Sequence, residues 1–200
     1  MVGAAEELLP NEDVESPVTT RKIAERAGIG IGSIYDYFSG KESIYKLVIL
    51  HEIEKNMSVF EKKMNDVESK DGQTIAQYCS EFVDFFSKHF YSKKSFMLNL
   101  LVSLPRKFTT PLFVETRKLV AEKLELSLNK RFERSKQCSD ELAKKYIFLL
   151  VCSFLENFHS FVQMEKMGLM DFATFVEFEK IHSMNLLRAI YRDLEVGDNS

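Results

Sequence analysis

The stretch TTRKIAERAGIGIGSIYDYFSGKE, Thr19 to Glu42, decides how the chain is to be read. Thr19 is of the type that caps a helix amino terminus with its side-chain oxygen, and the helix it opens carries Ile23 and Ala27 four residues apart on one face. Gly28 stands where a helix ends in a left-handed residue, and Ile29 fills the turn. A second short segment then places Ile34 and Phe38 four apart on its inner side. Ala24 is small enough to let the two helices cross closely. Two short helices joined at a glycine, the first bracing the second, form a helix-turn-helix pattern whose second helix offers its outer face to a major groove.

With Ile34 and Phe38 turned inward, the outward positions are Gly30, Ile31, Ser33, Tyr35, Asp36 and Tyr37. The hydroxyls of Ser33, Tyr35 and Tyr37 can bond phosphates or base edges, Ile31 can touch a thymine methyl, and Asp36 can accept from cytosine. Ser39 and Glu42 have the spacing of a capping box, which puts Lys41 in the first turn of the following helix. A cation there opposes the helix dipole, so helix stability does not ask for it, whereas a phosphate ligand does.

Outward from this motif, apolar residues recur at helical spacing nearly everywhere and clean strand alternation is absent, which predicts an all-α chain. The helix begun near Ser39 continues through Ile53, Met57, Phe60 and Met64. Ile75, Tyr78, Cys79, Phe82 and Phe86 form a second stripe. Pro105 is expected to end a helix, with Thr110 and Pro111 as cap and first position of the next, which carries Phe113, Val120, Leu124, Leu128 and Phe132. A long helix from Ile147 to Val162 is apolar on nearly all sides through IFLLVCSFL, so something besides its own core should cover it. Phe172, Phe175, Val176, Leu186, Leu187, Ile190 and Leu194 line the last helix. Two units follow, residues 1–50 and 51–200, joined by the long helix from Ser39.

The totals narrow the function classes. A net charge of −3 over 200 residues argues against indiscriminate attraction to nucleic acid or anionic lipid, so DNA binding must be local and geometric. No apolar run approaches the roughly 18 residues that span a bilayer, and MVGAAEELLPNEDVE lacks a signal-peptide layout, from which we expect a cytoplasmic protein without a membrane partner. Cys79, Cys138 and Cys152 have neither disulfide nor zinc spacing, and read as reduced thiols in or near a core. GIGIGS lacks full dinucleotide spacing and follows a helix instead of a strand. Glu156 and Glu179 each precede a histidine, His159 and His182, by three residues, as in di-iron bundles. Their helical phases differ, however, and both pairs read as ordinary residues, with Glu179 expected at an exposed rim. His51 and His89 have no metal-spaced partner, and no set of nucleophile, base and orienter stands out, so no catalytic residue, metal or cofactor is expected. The phenylalanines are chiefly core. Phe82, Phe86, Phe108, Phe154 and Phe158 are candidates for lining a cavity that accepts an apolar or aromatic molecule, with the stretch from Pro105 to Pro111 as its edge.

TTRKIAERAGIGIGSIYDYFSGKESIYKLV resembles the DNA-binding signature of the TetR family of bacterial transcriptional regulators, with Ile23, Ala24, Ala27, Gly28, Gly32, Tyr35, Phe38, Lys41 and Glu42 in place between Val18 and Val48. The resemblance implies an amino-terminal three-helix DNA-binding unit and a larger helical domain for ligand binding and dimerisation. It implies a homodimer with one recognition helix per half-site on double-stranded operator DNA, and a small-molecule effector that loosens the grip. It maps phosphate contacts to Thr19, Thr20, Tyr37 and Lys41, and groove contacts to Gly30, Ile31, Gly32, Ser33, Tyr35 and Asp36. The chain departs from the family in a short first helix, VGAAEELL, ended by Pro10, and in the acidic Glu6, Glu7, Glu12, Asp13 and Glu15. We read it as a repressor that dimerises through its last two helices. The alternatives are a helical binding protein that has lost operator affinity and a bundle metalloenzyme.

Overall fold

The computed structural model describes residues 1–9, 18–70, 72–96, 99, 106–133 and 138–191, with side chains from residue 109 onward in the fifth of these segments. Pro10, Glu12, Asp13, Glu15, Pro105 and Leu194 lie outside the described residues. Every described element is α-helical: α1 Val2–Leu8, α2 Thr20–Ala27, α3 Ile31–Tyr37, α4 Lys41–Glu68, α5 Ile75–Ser92, α6 Arg106–Arg131, α7 Asp140–Lys166 and α8 Phe172–Arg188. By packing, residues 1–59 and 93–113 make one compact unit, and residues 60–92 and 114–200 make another.

In the first unit α2 starts where the sequence places it. Thr19 is extended and its hydroxyl accepts from the Lys22 N–H at 3.2 Å. Gly28 closes the helix at φ 68°, and the Ile29 N–H returns to the Ala24 carbonyl, which completes a left-handed helix stop. Seven residues are too few for α3 to hold itself as an isolated helix. Its stability comes from Ile34, which is fully buried in a core with Ala5, Leu9, Ile23, Ala24, Ile44 and Val48, while Phe38 packs half-buried against the same cluster. Burial of a side chain of that size is worth about 1.5–3 kcal/mol. A polar chain fastens α1 to α4: Glu6 meets His51 at 2.7 Å and Lys55 at 3.1 Å, and Lys55 also reaches Glu52 at 3.2 Å. Lys93 meets the other Glu52 oxygen at 2.7 Å. Burial raises the pKa of Glu52, but the hydrogen bonds and charges of Lys93 and Lys55 outweigh it and hold the carboxyl below its usual range.

In the second unit α8 packs against both α5 and α7. Asp171 caps α8 by accepting from the Thr174 N–H at 2.8 Å, and Ser139 caps α7 by accepting from the Leu142 N–H at 3.3 Å. One ring contact and one ion pair set the seam between α5 and α8 antiparallel, Tyr91 lying 4.3 Å from Phe172 and Lys180 reaching Asp84 at 3.0 Å, while Phe132 bridges Tyr78 and Tyr191 at the other end.

Three expectations need correction. Thr110 and Pro111 do not open a helix, because α6 already runs from Arg106 and holds Pro111 inside it. A proline so near a helix start removes only one intrahelical hydrogen bond, which the rest of a 26-residue helix can absorb. Second, α7 does contain an 18-residue stretch of mean hydropathy 1.4, apolar and long enough to cross a bilayer by length and composition alone. Its Ile147, Leu150, Phe158, Phe161 and Val162 are buried within this unit while Leu142 and Leu149 are exposed, so a core stripe and an outward apolar stripe together give the high average. Third, Glu179 is not at a rim: it is fully buried, and the Asn157 side-chain amide donates to one of its oxygens at 2.7 Å. The helical phase that puts it on the apolar stripe of α8 overrides the usual exposure of glutamate.

Candidate nucleic-acid interface

The outer face of α3 stands free in the unit that carries it. Tyr37 is 77% exposed, Tyr35 57% and Ile31 45%, whereas Ile34 between them is 0%. Gly30, Gly32, Ser33 and Asp36 are exposed as well. Gly32 is informative because a Cβ built there meets nothing within 4 Å. A glycine inside a helix costs about 1 kcal/mol relative to alanine, and no neighbour in the chain requires this one. Without a side chain it leaves the surface low at this point. Two phenols, one serine hydroxyl and one isoleucine thus project from a face whose middle is flat.

The flanking candidates are positioned by the same local rules. Thr19 is exposed with its hydroxyl already accepting from Lys22, and Thr20 is half-buried at the first turn of α2. Lys41 opens α4 half-buried, donating to the Val18 carbonyl at 3.0 Å with its ammonium 4.9 Å above the Tyr45 ring. Its side chain is thereby held at the joint between the turn before α2 and the start of α4. An ammonium has three donors, so a phosphate can share it. The Ser39 hydroxyl meets that of Ser43 at 2.7 Å. The sequence reading passed over Arg21, whose side chain is 80% exposed and pairs with Glu25 at 3.2 Å; its signal was a basic residue directly after two threonines at a helix start. The described acidic residues of α1 do not face this surface unopposed: Glu7 pairs with Arg26, and Glu6 is taken up by His51 and Lys55.

In the second unit, four of the five phenylalanines proposed for a cavity are brought into one aromatic chain. Phe82 and Phe86 lie 5.7 Å apart, Phe90 lies 6.4 Å from Phe86 and reaches Phe154 at 6.1 Å and Phe158 at 5.9 Å. The side chain of Phe108 lies outside the described residues. Phe90 and Phe175, which are not among the five cavity candidates, are links in this chain, and both continue an i, i+3 or i+4 series. The two glutamate–histidine pairs do not form one site. The Glu156 side chain is 65% exposed and meets Arg117 at 2.8 Å, His159 is exposed, and His182 pairs with the Ser153 hydroxyl at 3.0 Å.

The sequence profile described as bacterial regulatory proteins, tetR family, matches residues 4–48, which hold α1, α2, α3 and the start of α4. No curated protein matches the chain in sequence. Among solved structures, a TetR transcriptional regulator from Rhodococcus sp. RHA1 superimposes with a TM-score of 0.59 at 14% identity, covering 93% of this chain and 92% of its own. A second transcriptional regulator from that organism gives 0.60 at 15% identity, with 94% and 95% covered. A Clostridium perfringens protein provisionally described as a fatty acid metabolism regulator gives 0.54 at 15%, with 92% and 96% covered. At such identities the structural likeness establishes the fold, and the profile match establishes the motif. Residues 4–48 therefore match the profile of the tetR family of bacterial regulatory proteins, and the chain that carries them has the fold seen in these solved transcriptional regulators.

Proposed function

We propose that the chain is a cytoplasmic, homodimeric repressor that binds double-stranded operator DNA through residues 1–50 and is released by a small apolar or aromatic effector bound within residues 51–200. The observation that carries the DNA reading is the face of α3, where exposed Ile31, Tyr35 and Tyr37 flank a buried Ile34 and an unobstructed Gly32. In this reading Thr19, Thr20, Tyr37 and Lys41 hold phosphates, while Gly30, Ile31, Gly32, Ser33, Tyr35 and Asp36 face base edges. The dimer reading is supported by large apolar side chains left outward on the last two helices, Leu149 at 51% exposure, Phe178 at 48% and Ile181 at 63%. Exposed apolar side chains of this size are what a self-associating face offers. The effector reading is supported by the aromatic chain from Phe82 to Phe158.

An effector can act only by binding one state of the protein better than the state that holds DNA, so DNA must weaken effector binding by the same factor as the reverse. The test is a protection footprint on the DNA upstream of the chain's own coding region, titrated with salt. Lys41→Ala should weaken binding about equally on all sequences and lower the salt slope by about one counterion, whereas changing Ile31 or Tyr35 should alter sequence preference. A folded protein without measurable protection at low salt refutes the repressor reading and leaves a helical binding protein.

A further inference from the structure

Among the described residues of the second unit, Glu179 is a carboxylate that the packing leaves half satisfied. Glu179 on α8 is fully buried, and only one of its oxygens has a donor, the Asn157 amide at 2.7 Å from α7. The other oxygen is buried with no hydrogen-bond partner among the described residues. The neighbouring side chains along α8 that can donate are engaged elsewhere: Lys180 meets Asp84 and Glu177 at 3.0 and 3.1 Å, and His182 meets the Ser153 hydroxyl. A bare carboxylate oxygen inside a protein costs far more than an exposed one, so a chain that retains it gains from a ligand that completes it.

The surroundings define that ligand. Glu179 lies one turn from Phe175 on α8, and Asn157 stands next to Phe158 and one turn from Phe154 on α7. Phe175 lies 5.7 Å from Phe158 and 6.5 Å from Phe154, and Phe90 of α5 joins both rings of α7. From α5 the facing titratable group is Cys79, whose thiol is pushed up to about 12 by burial and by the charge of Glu179, and which therefore brings no positive charge. Ser87, also on α5 and fully buried, has a hydroxyl without a partner among the described residues. With Asp84 level with Lys180 and the helices antiparallel, Ser87 falls within about one helical turn of Glu179 along the seam. An unsatisfied carboxylate one turn from a cluster of aromatic rings suits an ammonium: the carboxylate accepts its N–H groups, ring faces attract its charge, and rings can cover an apolar body.

We propose that Glu179, oriented by Asn157, is the polar anchor of an effector site between α5, α7 and α8 that takes a lipophilic amine, an apolar molecule carrying one protonated nitrogen. The proposal rests on the reading of this unit as effector-binding. It departs from an apolar effector without a charge and disfavours a carboxylic acid, which would bring a second anion to the same point.

The experiment compares decylammonium, decanol and decanoate, below their aggregation limits, by titration calorimetry on the full-length protein at pH 7.5. Decylammonium should bind at least about tenfold more tightly than decanol, the size of one charge-assisted hydrogen bond, and decanoate most weakly. Glu179→Gln, which keeps shape and the acceptor for Asn157, should erase the preference for the amine and leave decanol unchanged. Glu179→Asp should retain part of it. Helical circular dichroism of both variants confirms that they are folded. Equal binding of the amine and the alcohol, preference for decanoate, no binding of any of the three, or a Glu179→Gln protein that still prefers the amine each overturns the proposal. Footprints run with the same compounds separate the two readings. Glu179-dependent amine binding that leaves DNA protection intact upholds the site and refutes its regulatory role. DNA release by compounds indifferent to Glu179→Gln upholds the regulator and refutes the site.

Discussion

The outward face of α3 and the outward faces of α7 and α8 both display large apolar side chains, yet their companions differ. On α3 Ile31, Tyr35 and Tyr37 stand among glycines and a serine on a helix of seven residues. On α7 and α8 Leu149, Phe178 and Ile181 stand on helices of 27 and 17 residues whose other sides are built into a phenylalanine-rich core. A short hydroxylated ridge can enter a groove and bond phosphates; a long apolar face can only be covered by another apolar face. Exposure of a hydrophobic residue by itself does not assign a partner, and the polar groups beside it do.

That contrast can be broken by experiment. The largest effect is expected for the double change Phe178→Glu with Ile181→Glu. If these residues meet their copies in a dimer, light scattering should show a shift to monomer of at least about a hundredfold in dissociation constant, since like charges and lost apolar contact combine at a hot spot. An unchanged assembly would mean that this face is not the interface. Changing Ile34 to alanine should destabilise the first unit by about 2–5 kcal/mol in denaturant unfolding, since its side chain is fully buried. Loss of DNA protection would accompany it without any outward residue having been touched. If stability drops by less than about 1 kcal/mol, Ile34 is not the brace of α3.

The third effect concerns pH. Burial raises the Glu179 pKa from 4.5 to about 7, with the Asn157 hydrogen bond acting in the opposite direction. The native protein therefore holds this proton more firmly than the unfolded chain does, so the favourable contribution is complete below about pH 4.5 and is lost as pH rises through about 7. At about 1.4 kcal/mol per pKa unit, the wild type should lose about 3 kcal/mol between pH 4.5 and 8 relative to Glu179→Gln. Parallel stability curves for the two proteins would show that Glu179 ionises normally. The smallest effect is expected for Gly28→Ala, where φ is 68° with open space around the new Cβ. The cost is backbone strain alone, about 1–2 kcal/mol, read as a lowered melting temperature; no change would mean that α2 ends differently from the stop described.

Much of the DNA-binding motif was legible in the chain because its signals are local. Thr19 capping Lys22, Gly28 left-handed, Ile34 buried and Tyr35 outward all follow from spacings of three or four residues. Pro111 misled for the same reason: Thr-Pro is a local signal for a helix start, and a helix extending from Arg106 across it overrides that signal at the loss of one hydrogen bond. Glu179 misled because average behaviour of glutamate was set against helical phase, and phase decided.

What the sequence alone determined is the all-helical class and the bracing of one short helix by another, because backbone hydrogen bonding and amphipathic spacing are properties of neighbouring residues. Only the tertiary structure decided that Glu6 pairs with His51 and Lys55 and Glu7 with Arg26, that Phe90 joins the aromatic residues of α5 to those of α7, and that a glutamate is enclosed with one donor among the described residues. Those outcomes depend on which distant side chains share a seam, and pairwise contact between residues far apart in the chain leaves no periodic trace in it.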